Sequence, residues 1–212
     1  MHKIFIEPVS KLIELKHGIN TLVIENVGLY RKLFYDFDKS FIFSKDDKVL
    51  NNNKIVVITN PLEPDINSKK NLSTLYKRLE SNSNPEDDNL LKEIEGKIIH
   101  LIDRLTLNFD IDVEIDDQID LNKIFGLVKL KISEINNVEY LDLLLNYIKI
   151  VRELTNSGIL VFYGLSPLLS NKEYMTLKAE IKLLDVEILD ICNIQSKHND
   201  NVVIIDEDYC IL

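Results

Sequence analysis

Six of the chain's 35 carboxylates crowd into the residues from Asp110 to Asp120. With no His or Cys among them, that donor set suits a hard cation such as Ca²⁺ or Mg²⁺. From Phe109 to Ile115 apolar and acidic residues alternate strictly, which is the period of a strand. Asp110, Asp112, Glu114 and Asp116 therefore share one face, and Phe109, Ile111, Val113 and Ile115 the other. Same-face neighbours on a strand stand about 7 Å apart, so each adjacent carboxylate pair repels by ~0.6 kcal/mol in water or ~2.4 kcal/mol at an effective dielectric of about 20. Summed along the face, the crowded case reaches ~7 kcal/mol, comparable with the net stability of a whole domain. A solvated acidic edge strand tolerates this repulsion, whereas a partly buried one needs a counter-cation, and the residues alone leave both readings open. An EF-hand is excluded, because counting from Asp110 puts Ile115 where the loop needs Gly and Leu121 where it needs Glu. Two-metal hydrolysis also uses clustered carboxylates, and Lys123 is the basic residue nearby in sequence that could steady an attacking group.

Other chemistry is missing. His2, His17, His100 and His198 fall in no metal-ligand or general-base spacing, so each is expected on the surface or on a helix face, and there is no Gly-x-Ser-x-Gly. Thr21-Leu-Val-Ile-Glu25 is an apolar run leading straight into a helical pattern over 26–38, the place where a nucleotide-binding α/β fold keeps its phosphate loop. The junction reads Glu25-Asn26-Val27-Gly28, with one glycine, no Gly-Lys-Ser/Thr and a glutamate that repels phosphate. A net charge of −10 with a pI near 4.9 argues against the uniformly basic surface of a typical nucleic-acid binder. Any DNA contact has to use a local basic patch, with the acidic remainder turned away or neutralised by metal.

The elements that must position these residues follow from periodicity. Residues 3–6 and 11–15 read as strands around Pro8, 41–43 and 48–50 as a minor hairpin, and 54–59 as a buried strand stopped by Asn60-Pro61. Helices are expected over 68–81 and 86–107, the second carrying Glu86, Asp87 and Asp88 in its first turn, where the dipole favours them. Asp120 can cap a short helix, and Lys123, Lys129 and Lys131 lie just beyond the carboxylates. The pattern over 138–156 is apolar on nearly every side, which predicts a helix buried all round or seated at a subunit interface. Strands at 159–163, 186–191 and 202–205 and a helix over 171–184 complete an α/β layer. The N-terminus lacks signal-peptide character and no apolar run approaches about eighteen residues, so the expected location is cytoplasmic, with no membrane partner. Cys192 and Cys210 are expected to be reduced core residues.

Taken together, Glu7-Pro8 followed by Leu12-Ile-Glu-Leu15, Leu22-Val-Ile-Glu-Asn26 opening a helix, Asp112-Val-Glu-Ile-Asp-Asp117 and the terminal Ile205-Asp-Glu-Asp-Tyr-Cys-Ile-Leu212 resemble the Csn2 family. This is the ring-forming protein of type II-A CRISPR systems that takes part in acquiring new spacers. The resemblance implies an α/β head like a degenerate nucleotide-hydrolase fold without its phosphate loop, over 1–66 and 157–212, and an α-helical leg over 67–156 with the calcium region near the junction. It further implies no catalysis, a homotetrameric ring held by Ca²⁺ and binding of double-stranded DNA ends. Expected partners are the other adaptation proteins, namely the integrase complex and the effector nuclease. By that resemblance Asp112, Glu114, Asp116 and Asp117 are the Ca²⁺ ligands, with Asp110 and Asp120 as further candidates. Lys123, Lys129 and Lys131 are the DNA-facing candidates. The alternative is a metal-dependent nuclease or nucleotide hydrolase built on Asp110–Asp117. Between Cys192 and Val202 the chain is more polar than the family pattern.

Overall fold

The computed structural model describes residues 2–51, 54–108, 114, 119–135, 138–195, 197–198 and 201–212. In chain order, β1 (His2–Ile6) and β2 (Lys11–Glu14) form a hairpin around Pro8, with Ile4 opposite Ile13. β3 (Ile19–Ile24) follows, all six residues buried, then α1 (Val27–Tyr35), α2 (Phe37–Ser40), β4 (Phe41–Lys45), β5 (Lys48–Val49) and β6 (Ile55–Ile58). Three helices come next: α3 (Lys69–Ser81), α4 (Pro85–Thr106) and α5 (Leu121–Leu127). The chain ends through α6 (Tyr140–Thr155), β7 (Ile159–Tyr163), α7 (Asn171–Leu183), β8 (Glu187–Cys192) and β9 (Val202–Ile205).

Two sheets result. β2-β1-β4-β5 is antiparallel, and β6-β7-β8-β3-β9 is parallel, so the architecture is α/β with a helical unit. Uniform burial of β3 and β7 is what a parallel strand covered on both faces requires. Ile4, Ile6, Phe41 and Phe43 of the antiparallel sheet pack in one core with Leu22, Ile24, Val161 and Ile191 of the parallel sheet and Leu33 of α1. The expected minor hairpin at 41–50 is thus half of a four-stranded sheet, because β4 pairs with β1 along its whole length.

By contacts the chain divides into Met1–Ile66 with Glu134–Leu212, and Asn67–Ser133. α6 falls in the first unit, whereas the sequence reading set it in the second. It is also not apolar all round. Leu144, Leu145, Tyr147, Ile148, Val151 and Leu154 are buried, but Asp142, Lys149 and Glu153 are exposed along one line of the helix. Counting two apolar stripes passed over this third, polar one, and the helix is an ordinary amphipathic element of its unit.

In the second unit α4 starts on a capping box, Asn84 accepting from the Asp87 amide while Asp87 accepts from the Asn84 amide, with Pro85 at its first position. None of its residues is buried. The expected acidic strand over 109–115 lies outside the described residues except for Glu114, which is exposed and irregular.

Candidate functional site

At the β3–α1 junction two residues separate strand from helix. The Asn26 side chain accepts the Leu29 amide at 2.9 Å and donates to the Glu207 carbonyl at 3.4 Å, and the Glu25 amide donates to the Ile205 carbonyl. A Cβ on Gly28 would meet Asn26 Oδ1 at 3.2 Å. The cap takes the Leu29 amide, and with a single glycine the junction lacks the glycine-rich turn that folds backbone amides around a phosphate. Beside it, Asp190 on β8 is fully buried. One of its oxygens accepts the Leu165 amide at 2.8 Å, and the other accepts the Ser166 amide at 2.6 Å and the Cys192 thiol at 3.3 Å. These bonds hold the turn that leaves β7 through Gly164, whose φ of +77° suits glycine. Burial pushes the Asp190 carboxyl above its ordinary value, outweighing those hydrogen bonds. Burial first, and then the Asp190 charge, pushes the Cys192 thiol well up, so it stays a thiol rather than a nucleophile. Tyr140, whose hydroxyl donates to the Pro61 carbonyl, is pushed to about 12 by burial. Each group is engaged in holding loops at the strand ends.

The second unit carries the candidate ligands and lysines. Asp120 caps α5, its Oδ1 accepting the Lys123 amide at 2.8 Å. Glu114 is exposed, while Asp110, Asp112, Asp116 and Asp117 lie outside the described residues. Among the described residues no three His, Cys, Asp or Glu side chains form a metal-sized group. The oxygen-only donor set still fits a hard cation, since Asp120 keeps a second oxygen beyond its cap.

Lys123 is exposed in the first turn of α5. Lys129 and Lys131 sit on a segment pinned at alternate residues. The Tyr76 hydroxyl donates to the Leu130 carbonyl at 2.8 Å, and Asn67 exchanges two hydrogen bonds with the Ile132 backbone at 3.1 and 2.9 Å. With Leu130 and Ile132 half-buried, Lys129 and Lys131 are held exposed between them. The turn that makes this possible has Lys129 at φ +51°. Sequence reasoning missed these anchors, as it missed Glu95 on α4, which accepts the Ile119 amide at 3.2 Å. Their partners are 54, 65 and 24 residues away, and no local periodicity signals such a pair.

Two residues depart from the places expected of them: Cys210, expected in the core, is exposed, and His2, expected on the surface or a helix face, is buried on a strand. His2 is buried with Nδ1 2.9 Å from Glu187, and half-buried His198 stacks on Tyr174 with planes 3° apart.

A family model described as CRISPR-associated protein (Cas_Csn2) matches residues 34–209. A CRISPR-associated protein Csn2 of Enterococcus faecalis is 26% identical over 163 residues, 74% of this chain and 74% of the relative. One from Streptococcus agalactiae is 25% identical over 199 residues, covering 90% of this chain and 89% of the relative.

Proposed function

We propose that this chain, which belongs to the Csn2 family of CRISPR-associated proteins, binds the ends of double-stranded DNA without sequence preference and without cutting them. It does so as a calcium-stabilised tetrameric ring serving spacer acquisition alongside the integrase complex and the effector nuclease. The observation that carries the DNA contact is the pinned Leu130 and Ile132 backbone that holds Lys129 and Lys131 exposed, with Lys123 on the neighbouring α5. A chain of net charge −10 cannot attract DNA through its overall field, so a few lysines brought together by symmetry must supply the attraction. Asp112, Glu114, Asp116 and Asp117, with Asp110 and Asp120 beside them, are the residues that would hold Ca²⁺. The ion would supply the positive charge that keeps these acids from repelling the duplex.

Assembly has support that the sequence reading placed elsewhere. α6, expected to be buried all round or seated at a subunit interface, packs its apolar side within its own unit, while on α4 Leu90, Leu101 and Leu105 share one stripe and are 55%, 53% and 64% exposed. A self-complementary apolar stripe is what an isologous contact between copies uses.

The test uses linear and covalently closed duplexes of equal length, with Ca²⁺ or chelator. Linear DNA should shift uncut in Ca²⁺, and closed circles should compete poorly, because threading a ring requires an end. Lys129→Glu with Lys131→Glu should weaken binding uniformly across sequences and flatten the salt slope by about 2. Equal competition by circles refutes the threading geometry, and cut DNA favours the hydrolase reading of the carboxylates.

A further inference from the structure

A groove of about 420 Å³ opens in the first unit between α6 and the irregular segment over 61–66. Its walls follow from local sequence. Pro61 and Pro64 stiffen the backbone of that segment. The Tyr140 hydroxyl, in the first turn of α6, donates to the Pro61 carbonyl at 3.0 Å and straps the two walls together. Buried Ile66 lines the groove together with Leu62, Ile135 and Leu143. Leu62 is 56% exposed and Ile135 45%, so the fold leaves apolar surface in water at a concavity.

The rim carries one sign of charge. Glu63, Asp65 and Glu134 line the groove and are exposed, and among the described residues no lysine or arginine lines it. α6 adds Glu139 at its cap position and exposed Asp142 in its first turn. The lysine of α6, Lys149, lies further along the helix with its Nζ 3.9 Å from Glu180 of α7. Among the described residues no three carboxylates come close enough to hold a metal ion, so these acids ring the groove rather than converge on a point. Carboxylates spaced around a concave apolar surface focus negative potential over it. They repel the phosphates of a nucleic acid and attract lysine and arginine, while the apolar lining takes the side chains that those cations flank. Apolar anchors in a groove with complementary charge at its rim is the way basic amphipathic segments are recognised. The volume, towards the lower end of the range of ligand sites, suits a pair of large apolar side chains.

We propose that this groove docks a basic segment of a partner protein, a pair of apolar anchors entering against Leu62, Ile135 and Leu143 with lysine or arginine on either side facing Glu63, Asp65 and Glu134. The surface is separate from the DNA contact, since Lys123, Lys129 and Lys131 belong to the other unit.

Labelled peptides titrated with the full chain and followed by fluorescence anisotropy provide the test. The probes are Lys-Lys-Leu-Phe-Lys-Lys, a counterpart with Ser-Ser at its centre, and a counterpart with glutamate in place of every lysine. The first should bind, the second about tenfold or more weakly, and the third not at all. Glu63→Lys with Glu134→Lys should weaken the first probe about tenfold or more. Glu86→Lys with Asp103→Lys, at exposed positions of α4 and equal in net charge, should leave it nearly unchanged, because a local contact holds the peptide. Leu62→Ser with Ile135→Ser, also at exposed positions, should erase the preference for Leu-Phe over Ser-Ser with circular dichroism unaltered. Unchanged affinity in Glu63→Lys/Glu134→Lys, equal loss in both charge-reversal variants, equal binding of the Leu-Phe and Ser-Ser probes, or no binding by any probe overturns the proposal. A shift of Leu62→Ser/Ile135→Ser to smaller species in sedimentation velocity assigns the groove to a second copy of the chain and overturns it as well.

Discussion

Replacing Leu101 and Leu105 of α4 by glutamate should dissolve the proposed assembly while sparing the fold. Roughly half of Leu101 and two thirds of Leu105 is exposed in the single chain. Full burial of a leucine is worth about 1.5–3 kcal/mol, so covering the exposed remainder yields about 0.8–1.8 kcal/mol per residue. In an isologous contact both copies contribute, and the double substitution then removes about 3–7 kcal/mol from one interface, before any cost of burying the new carboxylates. At 1.4 kcal/mol per factor of ten, the dissociation constant should rise by at least about a hundredfold. Within one chain the same changes fall on exposed helical positions, where substitutions stay within about 0.5 kcal/mol and glutamate is as good a helix former as leucine. Sedimentation velocity and native mass spectrometry at low micromolar concentration give the oligomer distribution, and circular dichroism gives the fold. An unchanged distribution in a variant with unchanged helicity refutes the assignment of the contact to α4.

Four further outcomes are expected. Ca²⁺ is expected to raise Tm, by an amount worth ~2.7 kcal/mol at a hundredfold excess over Kd, and Asp116→Ala with Asp117→Ala should abolish that rise; a preserved rise in a thermal melt places the ion elsewhere. Asp190→Ala leaves the buried Leu165 and Ser166 amides without acceptors and, after relief of the carboxylate's own burial, should cost ~2–4 kcal/mol, or about 5–10 °C in Tm. Because burial raises the Asp190 pKa above its ordinary 3.8, the native state holds that proton more tightly than the unfolded chain. The associated stability is full below the ordinary value and is lost as pH rises through the native one. Asp190→Asn should lack this slope in denaturation series across pH. ATP turnover should stay at background in a coupled phosphate-release assay, and turnover abolished by Glu25→Ala would contradict the closed β3–α1 junction.

Legibility followed the range of the interaction that makes each element. β3, β7, α3, α4 and α7 could be read within a residue or two, because burial periodicity, Asn84-Pro85 and the Ser170/Glu173 capping box are signals carried inside the element itself. The β1–β4 pairing could not, since nothing in Phe41-Ile-Phe43 says which distant strand it will join. The missing phosphate cradle was legible because a glycine-rich loop is a local device, and its replacement by a single capping asparagine is equally local. The lysines were legible as a charge pattern, but not as a presented surface. What holds Lys129 and Lys131 outward is Tyr76 and Asn67, contributed from the far end of the helical unit. The α6 misreading has the same origin in reverse. Counting apolar residues around a helix finds stripes easily, yet Asp142, Lys149 and Glu153 show that one narrow polar line is enough to make such a helix a wall of its own unit. Part of the exposed apolar surface lies instead on α4, whose leucines follow a pattern that fits a buried face equally well.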